Sequence, residues 1–345
     1  MISRGDIMNS KNIVFVKENV AEFLEEPVKE MKRDDVMVEL AVSSISSGTE
    51  RANLTGSKTV SWLKKEQEQA IFPRRGGYSS AGVVVKVGED VTSVKVGDRV
   101  SLSWSTHSQY VVINESRVYP IGDIDFEDAA IFHIATFPLA AIRKCRLEIG
   151  ESAIVMGMGI LGIVALSLLK AAGATPIIAV DPDSKKREKA LTCGADYALD
   201  PYAPDFAQQA KELTGGGANV GIEVTGIGAG LDGILDCMAR FGRVALLGCT
   251  RNSDFTIDYY RKVHGPGITL VGAHTNARPS FESSCGWWTQ KDDVNALIRL
   301  TNLGRIKLSK MIDETYSPED APEVYTRLAF DKTFPLVQFD WRRIK

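Results

Sequence analysis

Two different periods of apolar and polar positions run along the chain. Up to about residue 137 the apolar runs are short and β-branched: Val36–Val42, Gly82–Val87 and Arg99–Leu102, each bounded by glycine or aspartate. That pattern predicts strands joined by tight turns. Within it Lys-Val-Gly-acid occurs twice, from Lys86 and from Lys95, as two short strands each entering a glycine turn. The stretch Lys58 to Arg75 is charged instead, and predicts a partly helical insertion or flap, a candidate lid.

From about Pro138 the period changes to strand–helix alternation. Strands are predicted over Ser152–Met156, Pro176–Val180, Val220–Val224, Arg243–Leu247 and Ile268–Val271. Helices are predicted over Leu161–Ala172, Ser184–Cys193 and Asp205–Leu213, with Gly194 and the Gly215–Gly217 triplet as stops. Such alternation means a parallel, doubly wound sheet. A helix over Asp292–Leu303 and a strand-like end at Phe334–Phe339 complete the chain.

A length of 345 residues favours two domains over one. Forty-one basic residues against forty-four acidic give a net charge of -3, without the basic stripe of a nucleic-acid binder. The five cysteines are scattered, which fits neither a zinc ribbon nor a disulfide framework and points to a reducing cytoplasm. The first ten residues carry no apolar core of a secretory signal, and Met8 is a possible start. The longest apolar run, Ala153–Leu169, is broken by three glycines, at 157, 159 and 162. It reads as strand, turn and helix and not as a membrane span.

Gly157-Met-Gly159-Ile160-Leu161-Gly162 fits G-x-G-x-x-G between an apolar strand and an apolar helix. Asp181 stands nineteen residues past Gly162, at the end of the next strand. In this layout Gly157 turns the chain, Gly159 lets a pyrophosphate approach, and Gly162 lets helix and strand pack. The helix N-terminus offers N–H groups to the phosphates, and Asp181 would accept from the ribose hydroxyls and repel a 2′-phosphate. NAD is therefore the expected cofactor. Lys185, Lys186 and Arg187 are either a solvated helix face or a rival site for a 2′-phosphate.

The segments Gly76–Leu102, the glycine fingerprint, GIEVTG (221–226) and FGRVALLG (241–248) together resemble the medium-chain dehydrogenase/reductase superfamily over nearly the whole chain. The resemblance implies an α/β fold: a GroES-like, β-rich catalytic domain over 1–137 and 273–345, and a Rossmann NAD-binding domain over 138–272. It also implies a homodimer or homotetramer. Zinc members carry cysteine, histidine and glutamate where this chain has Ser47, Tyr78 and Ser79, and no Cys or Glu lies near Phe132-His133. The structural-zinc cysteine cluster is missing too, so no metal is expected. The spellings S-x-G-T-E and G-Y-x-S-x-G resemble a branch containing bacteriochlorophyllide hydroxyethyl dehydrogenases and sorbitol or threonine dehydrogenase-like proteins.

Without zinc, the oxyanion left by hydride transfer needs a side-chain proton donor. The candidates are His133, which titrates near neutrality, Tyr78 at the histidine-ligand position, Thr49 at the proton-relay position, and Glu50 as an alternative base. By the same resemblance Thr136, Thr225, Gly226, Gly248 and Ala273 join Ile160, Leu161 and Lys186 at the cofactor. Substrate-contact candidates are His107, His274, Asn276, Arg278, Trp287 and Trp288, whose aromatic faces and polar groups suit a polyhydroxylated small molecule. The expected activity is NAD-dependent interconversion of a secondary alcohol and a ketone on a sugar, polyol or glycoside. Reduction of an activated C=C bond and a non-catalytic cofactor sensor are the alternatives.

Overall fold

The computed structural model describes residues 8–60 and 71–344. Most of the charged stretch expected as a flap over 58–75 falls outside them. The chain divides into two compact units, one of residues 1–134 with 307–345 and one of residues 135–306.

In the first unit the strand Asp35–Ser44 is the organising element. It pairs antiparallel with Ser79–Val87, with Tyr110–Asn114 and with Val337–Asp340 from the C-terminus. Neighbours on both edges explain why all of its residues except Glu39 are buried. Arg99–Ser103, Val118–Pro120 and Glu314–Tyr316 extend this sheet. A second sheet of Val20–Pro27, Asn9–Lys17 and Arg74–Arg75 lies in the same unit. Their shared core holds Phe15, Leu54, Tyr325, Phe339 and Trp341, each at most 4% exposed.

The second unit contains a parallel sheet in the order Tyr197–Leu199, Ile177–Val180, Ala153–Met156, Ala218–Glu223, Met238–Leu246, Thr269–Gly272. This is the doubly wound order, with its switch point beside Ala153–Met156. The two inner four-residue strands are buried throughout, as a sheet covered on both faces requires. The helix Ile160–Ala172 follows the glycine fingerprint and stops at Gly173, whose φ is 88°.

The fold class is the expected one, and several elements differ from expectation. Helices Ser47–Leu54, Phe132–Lys144, Gly228–Asp236 and Ala321–Phe330 were not anticipated. Phe132–Lys144 is buried over most of its length and encloses Pro138, so it shows no amphipathic stripe to read. The strand expected from Arg243 begins at Met238, and the one expected from Phe334 spans only Val337–Asp340. The unit boundaries also differ. Residues 273–306 fall in the second unit, where Asp293 of the helix Gln290–Asn302 takes a bond from Arg143 Nε at 3.1 Å.

Candidate active site

In the first unit, Tyr78 enters the strand Ser79–Val87 and Ser46 immediately precedes the helix Ser47–Leu54. The Tyr78 hydroxyl donates to Ser46 Oγ. The His133 ring stands edge-on to Tyr78 at 5.5 Å and to Trp104 at 4.6 Å between centroids. His133 is 0% exposed, Tyr78 is half-buried, and Trp104 is exposed at one side. Trp104 holds a φ of 62°, and its N–H donates to Tyr78 O at 2.8 Å. Positive φ is rare for a bulky residue and marks constrained sites.

Beneath this cluster lies a buried polar network. Trp341 Nε1 donates to Ser43 Oγ at 2.8 Å, and Ser43 Oγ meets His107 Nδ1 at 2.7 Å. His107 Nε2 meets Glu50 Oε2 at 3.0 Å. Tyr325 O–H also donates to that oxygen, and Glu50 Oε1 accepts the Ser46 N–H at 2.8 Å. An ionised carboxylate can only accept, so His107 Nε2 donates to Glu50, and the Nδ1 of the neutral ring accepts the Ser43 proton while Ser43 Oγ accepts from the Trp341 indole. That assigns His107 the Nε2–H tautomer and leaves the Glu50 carboxylate accepting three bonds. Burial and the adjoining carboxylate push the Tyr325 phenol well above its ordinary pKa.

Two of the expected site residues lie in this network. His107 is 0% exposed and committed to Ser43 and Glu50, so it supports the site from below and does not line a substrate surface. Glu50, 1% exposed and holding three donors, anchors Ser46 and is not placed as a base. Thr49 is half-buried on the same helix. Ser79, at the family's glutamate position, donates to Ala130 O at 2.6 Å from a buried site.

In the second unit the expected cofactor residues gather at the C-terminal ends of parallel strands, where such sheets bind ligands. Gly157 follows Ala153–Met156, Asp181 follows Ile177–Val180, Thr225 and Gly226 follow Ala218–Glu223, Gly248 follows Met238–Leu246, and Ala273 follows Thr269–Gly272. Gly157 has a φ of 102°, and a Cβ on Gly162 would stand 1.9 Å from Gly157 O, so both positions demand glycine. At Gly159 a Cβ would meet no atom within 4 Å, and no side chain caps the helix that starts at Ile160. That is an open cradle for a phosphate, with Leu161 in the first turn.

Asp181 Oδ2 accepts the Met158 N–H at 2.8 Å and Oδ1 accepts the Asp183 N–H at 2.9 Å, which ties the acid to the fingerprint loop. Arg187 bonds Asp181 O and Pro182 O and pairs with Asp200 at 3.2 Å. Lys186 lies in the first turn of Ser184–Thr192, its N–H accepted by Asp183. Glu223 is a residue the sequence reading missed. It is 2% exposed, accepts from Thr225 N and Oγ1 and from Gly226 N, and shapes that strand-end turn. Burial raises its pKa against those donors.

The loop that follows the last strand carries the remaining candidates. Arg278 donates from Nε to Thr275 O at 2.7 Å and from Nη2 to Thr136 O at 3.4 Å, and its side chain is 9% exposed. It therefore holds the loop to the helix bearing Thr136. Trp288 is covered by Arg143 at 3.5 Å and Trp287 by Lys144 at 4.9 Å, so cations of the same helix occupy ring faces expected to stack on substrate. His274 Nδ1 accepts the Asn276 N–H, and burial with the nearby Lys144 charge lowers the His274 pKa. Asn276 is exposed. Burial and the Arg278 charge push Lys144 down to about 8. Burial lifts Asp293 to about 6 against the pull of Arg143 and Arg278.

A GroES-like unit and a doubly wound unit with this fingerprint define a two-domain dehydrogenase fold. Comparison with known proteins agrees. Residues 161–288 match the family described as zinc-binding dehydrogenase, and residues 32–123 match the alcohol dehydrogenase GroES-like domain. A D-guloside 3-dehydrogenase of Shigella flexneri is 27% identical over 72% of this chain and 72% of its own. An L-threonine 3-dehydrogenase of Pyrococcus horikoshii is 26% identical over 88% of this chain and 90% of its own. The crystal structure of galactitol-1-phosphate dehydrogenase from Escherichia coli superposes with a TM-score of 0.82 at 19% identity, covering 96% of this chain and 99% of that one. The chain belongs to the zinc-type medium-chain dehydrogenase/reductase superfamily.

Proposed function

We propose that the protein is a zinc-independent, NAD-dependent oxidoreductase interconverting a secondary alcohol and a ketone on a sugar, polyol or glycoside. The Tyr78–Ser46 hydroxyl pair, backed by His133 and Trp104, carries this reading. The donors there do not fit zinc. They are hydroxyls, a phenol and one imidazole, with no thiolate, and the Glu50 carboxylate is already taken by three donors. The dehydrogenase relatives support the alcohol chemistry, and two of them are named for a 3-hydroxyl substrate position.

NAD, when bound, supplies the hydride acceptor; the chain's own residues manage the oxygen. The Tyr78 proton is committed to Ser46 Oγ, which sets the phenol oxygen to accept from the alcohol O–H. As the carbon loses its hydride to NAD, the alcohol proton passes to the Tyr78 oxygen, the Tyr78 proton passes to Ser46 Oγ, and the proton Ser46 carried is released to water. In reduction Tyr78 returns a proton to the developing oxyanion. His133, fully buried, is a positioning residue that fixes the Tyr78 and Trp104 rings, while Thr49 offers a further hydroxyl. Asp181 selects NAD, and the engagement of Arg187 with Asp200 and backbone carbonyls removes one candidate for a 2′-phosphate.

The same reading takes the protein as a cytoplasmic homodimer joined along the edge strand Thr269–Gly272. Exposed Phe241, Tyr259 and Tyr260 occur in this unit. Tyr78→Phe tests the chemistry. General acid–base groups contribute about 10²–10⁴-fold, so kcat falls by roughly a hundredfold or more with KM little changed. Turnover within threefold of the parent protein would remove Tyr78 from the mechanism.

A further inference from the structure

A cavity of about 310 Å3 opens in the first unit beside Trp104. Lys29 and Lys32 line it from the loop before Asp35–Ser44, and Asn114 and Arg117 from the turn after Tyr110–Asn114. Its volume is at the lower end of small-molecule sites. Two acids, Asp34 and Asp35, also line it. Each is engaged locally: Asp35 Oδ2 accepts the Lys32 N–H at 3.0 Å, and Asp34 Oδ2 accepts from Asn114 Nδ2 at 2.6 Å. Lys29, Lys32 and Arg117 make no side-chain ion pair among the described residues. The lining thus sets three cations against two carboxylates, a net charge of +1, with no side-chain ion pair among the described residues drawing any of the three cations away.

Trp104 connects this cavity to the candidate chemistry. It lines the cavity while its ring touches those of His133 and Tyr78. An indole face beside cationic donors suits a ring whose C–H face stacks and whose charged group is held at the side.

We propose that this cavity is an anion-recognising subsite, taking a phosphate or carboxylate carried by a polyhydroxylated ligand that stacks on Trp104. The proposal rests on the reading of Tyr78 as the group that handles the substrate oxygen, and it narrows the substrate to acidic or phosphorylated sugars and polyols. Lys32 and Arg117 supply charge-assisted hydrogen bonds to the anion, and Trp104 places the carbon skeleton next to Tyr78.

Calorimetric titration of the full chain, without cofactor, with D-glucose 6-phosphate, D-glucuronate, D-glucose and inorganic phosphate tests it. The two anionic sugars should bind at least tenfold more tightly than glucose. Lys32→Gln with Arg117→Gln should weaken them by roughly tenfold or more, and added salt should weaken them further. Inorganic phosphate binding as tightly as glucose 6-phosphate would assign the cavity to a free anion and overturn the sugar-borne part. Glucose binding equally well, no anionic sugar binding, or a double variant that binds unchanged would overturn the proposal. Because the readout is binding, anion recognition without turnover on any alcohol would defeat the dehydrogenase reading and leave the subsite standing.

Discussion

Replacing Glu50 by glutamine removes one charge from the buried network and little else. The carboxylate accepts from Ser46 N, His107 Nε2 and Tyr325 O–H at a site 1% exposed. A hydrogen bond to a charged group contributes about 1.5–3 kcal/mol, against about 0.5–1.5 for a neutral one. Losing charge assistance on three bonds therefore costs on the order of 3 kcal/mol. Part is recovered, because His107 can switch tautomer: Ser43 Oγ then accepts from both Trp341 and Nδ1, while Nε2 accepts from the new amide. The expected net loss is about 2 kcal/mol. With a urea m-value of about 1–3 kcal/mol/M, the unfolding midpoint drops by roughly 1 M in the transition that melts the first unit. Glu50→Ala, which strands all three donors, should lose about 3–5 kcal/mol. Urea unfolding followed by tryptophan fluorescence reads both. A Glu50→Gln midpoint within about 0.3 M of the parent at unchanged m would refute the network's assigned weight.

Four further outcomes follow from the second unit. Gly162→Ala drives a Cβ into Gly157 O; it should cost about 2 kcal/mol or more and weaken NADH binding in a fluorescence titration, and normal values for both would sink the cradle. NADH should bind at least tenfold more tightly than NADPH, and Asp181→Ser should narrow that gap; an NADPH preference would reverse the cofactor assignment. Lys144 at about 8 lies below its ordinary 10.5, so the unfolded chain holds the proton more strongly and stability rises as pH climbs from about 8 to 10.5. At neutral pH the partly desolvated charge destabilises the fold. Lys144→Met should therefore be the more stable protein at pH 7, with the difference shrinking toward pH 10.5. A difference independent of pH in calorimetry would show that the amine is not strained. Asp293, lifted to about 6, works the other way: its native state holds the proton more strongly, so its share of stability falls as pH rises from about 4 to 6.

What could be read along the chain was what is local. The glycine fingerprint, the strand before it and Asp181 lie within one βαβ unit, and spacing alone carries them. The strand-end residues from Thr225 to Ala273 came from resemblance, and the parallel sheet places them at like positions. The partner of Tyr78 could not be picked out of the tandem serines. Ser47 was expected at the family's cysteine position, yet Ser46 is the residue that meets Tyr78. Trp104 carried no signal, because its ring contacts with His133 and Tyr78 join residues far apart in the chain. His107 and Glu50 are 57 positions apart, and nothing in either neighbourhood announces their pairing. Arg143 and Lys144 cover the two tryptophans through a helix whose uniform burial left no periodicity to read.

The most direct measurement is NADH formation by chelator-treated protein across a panel of polyols, sugars and glycosides, neutral and anionic. The account predicts turnover that survives the chelator, gains nothing from added zinc and collapses in Tyr78→Phe. Turnover abolished by the chelator and restored by zinc would contradict it, as would silence across the panel from protein that still binds NAD.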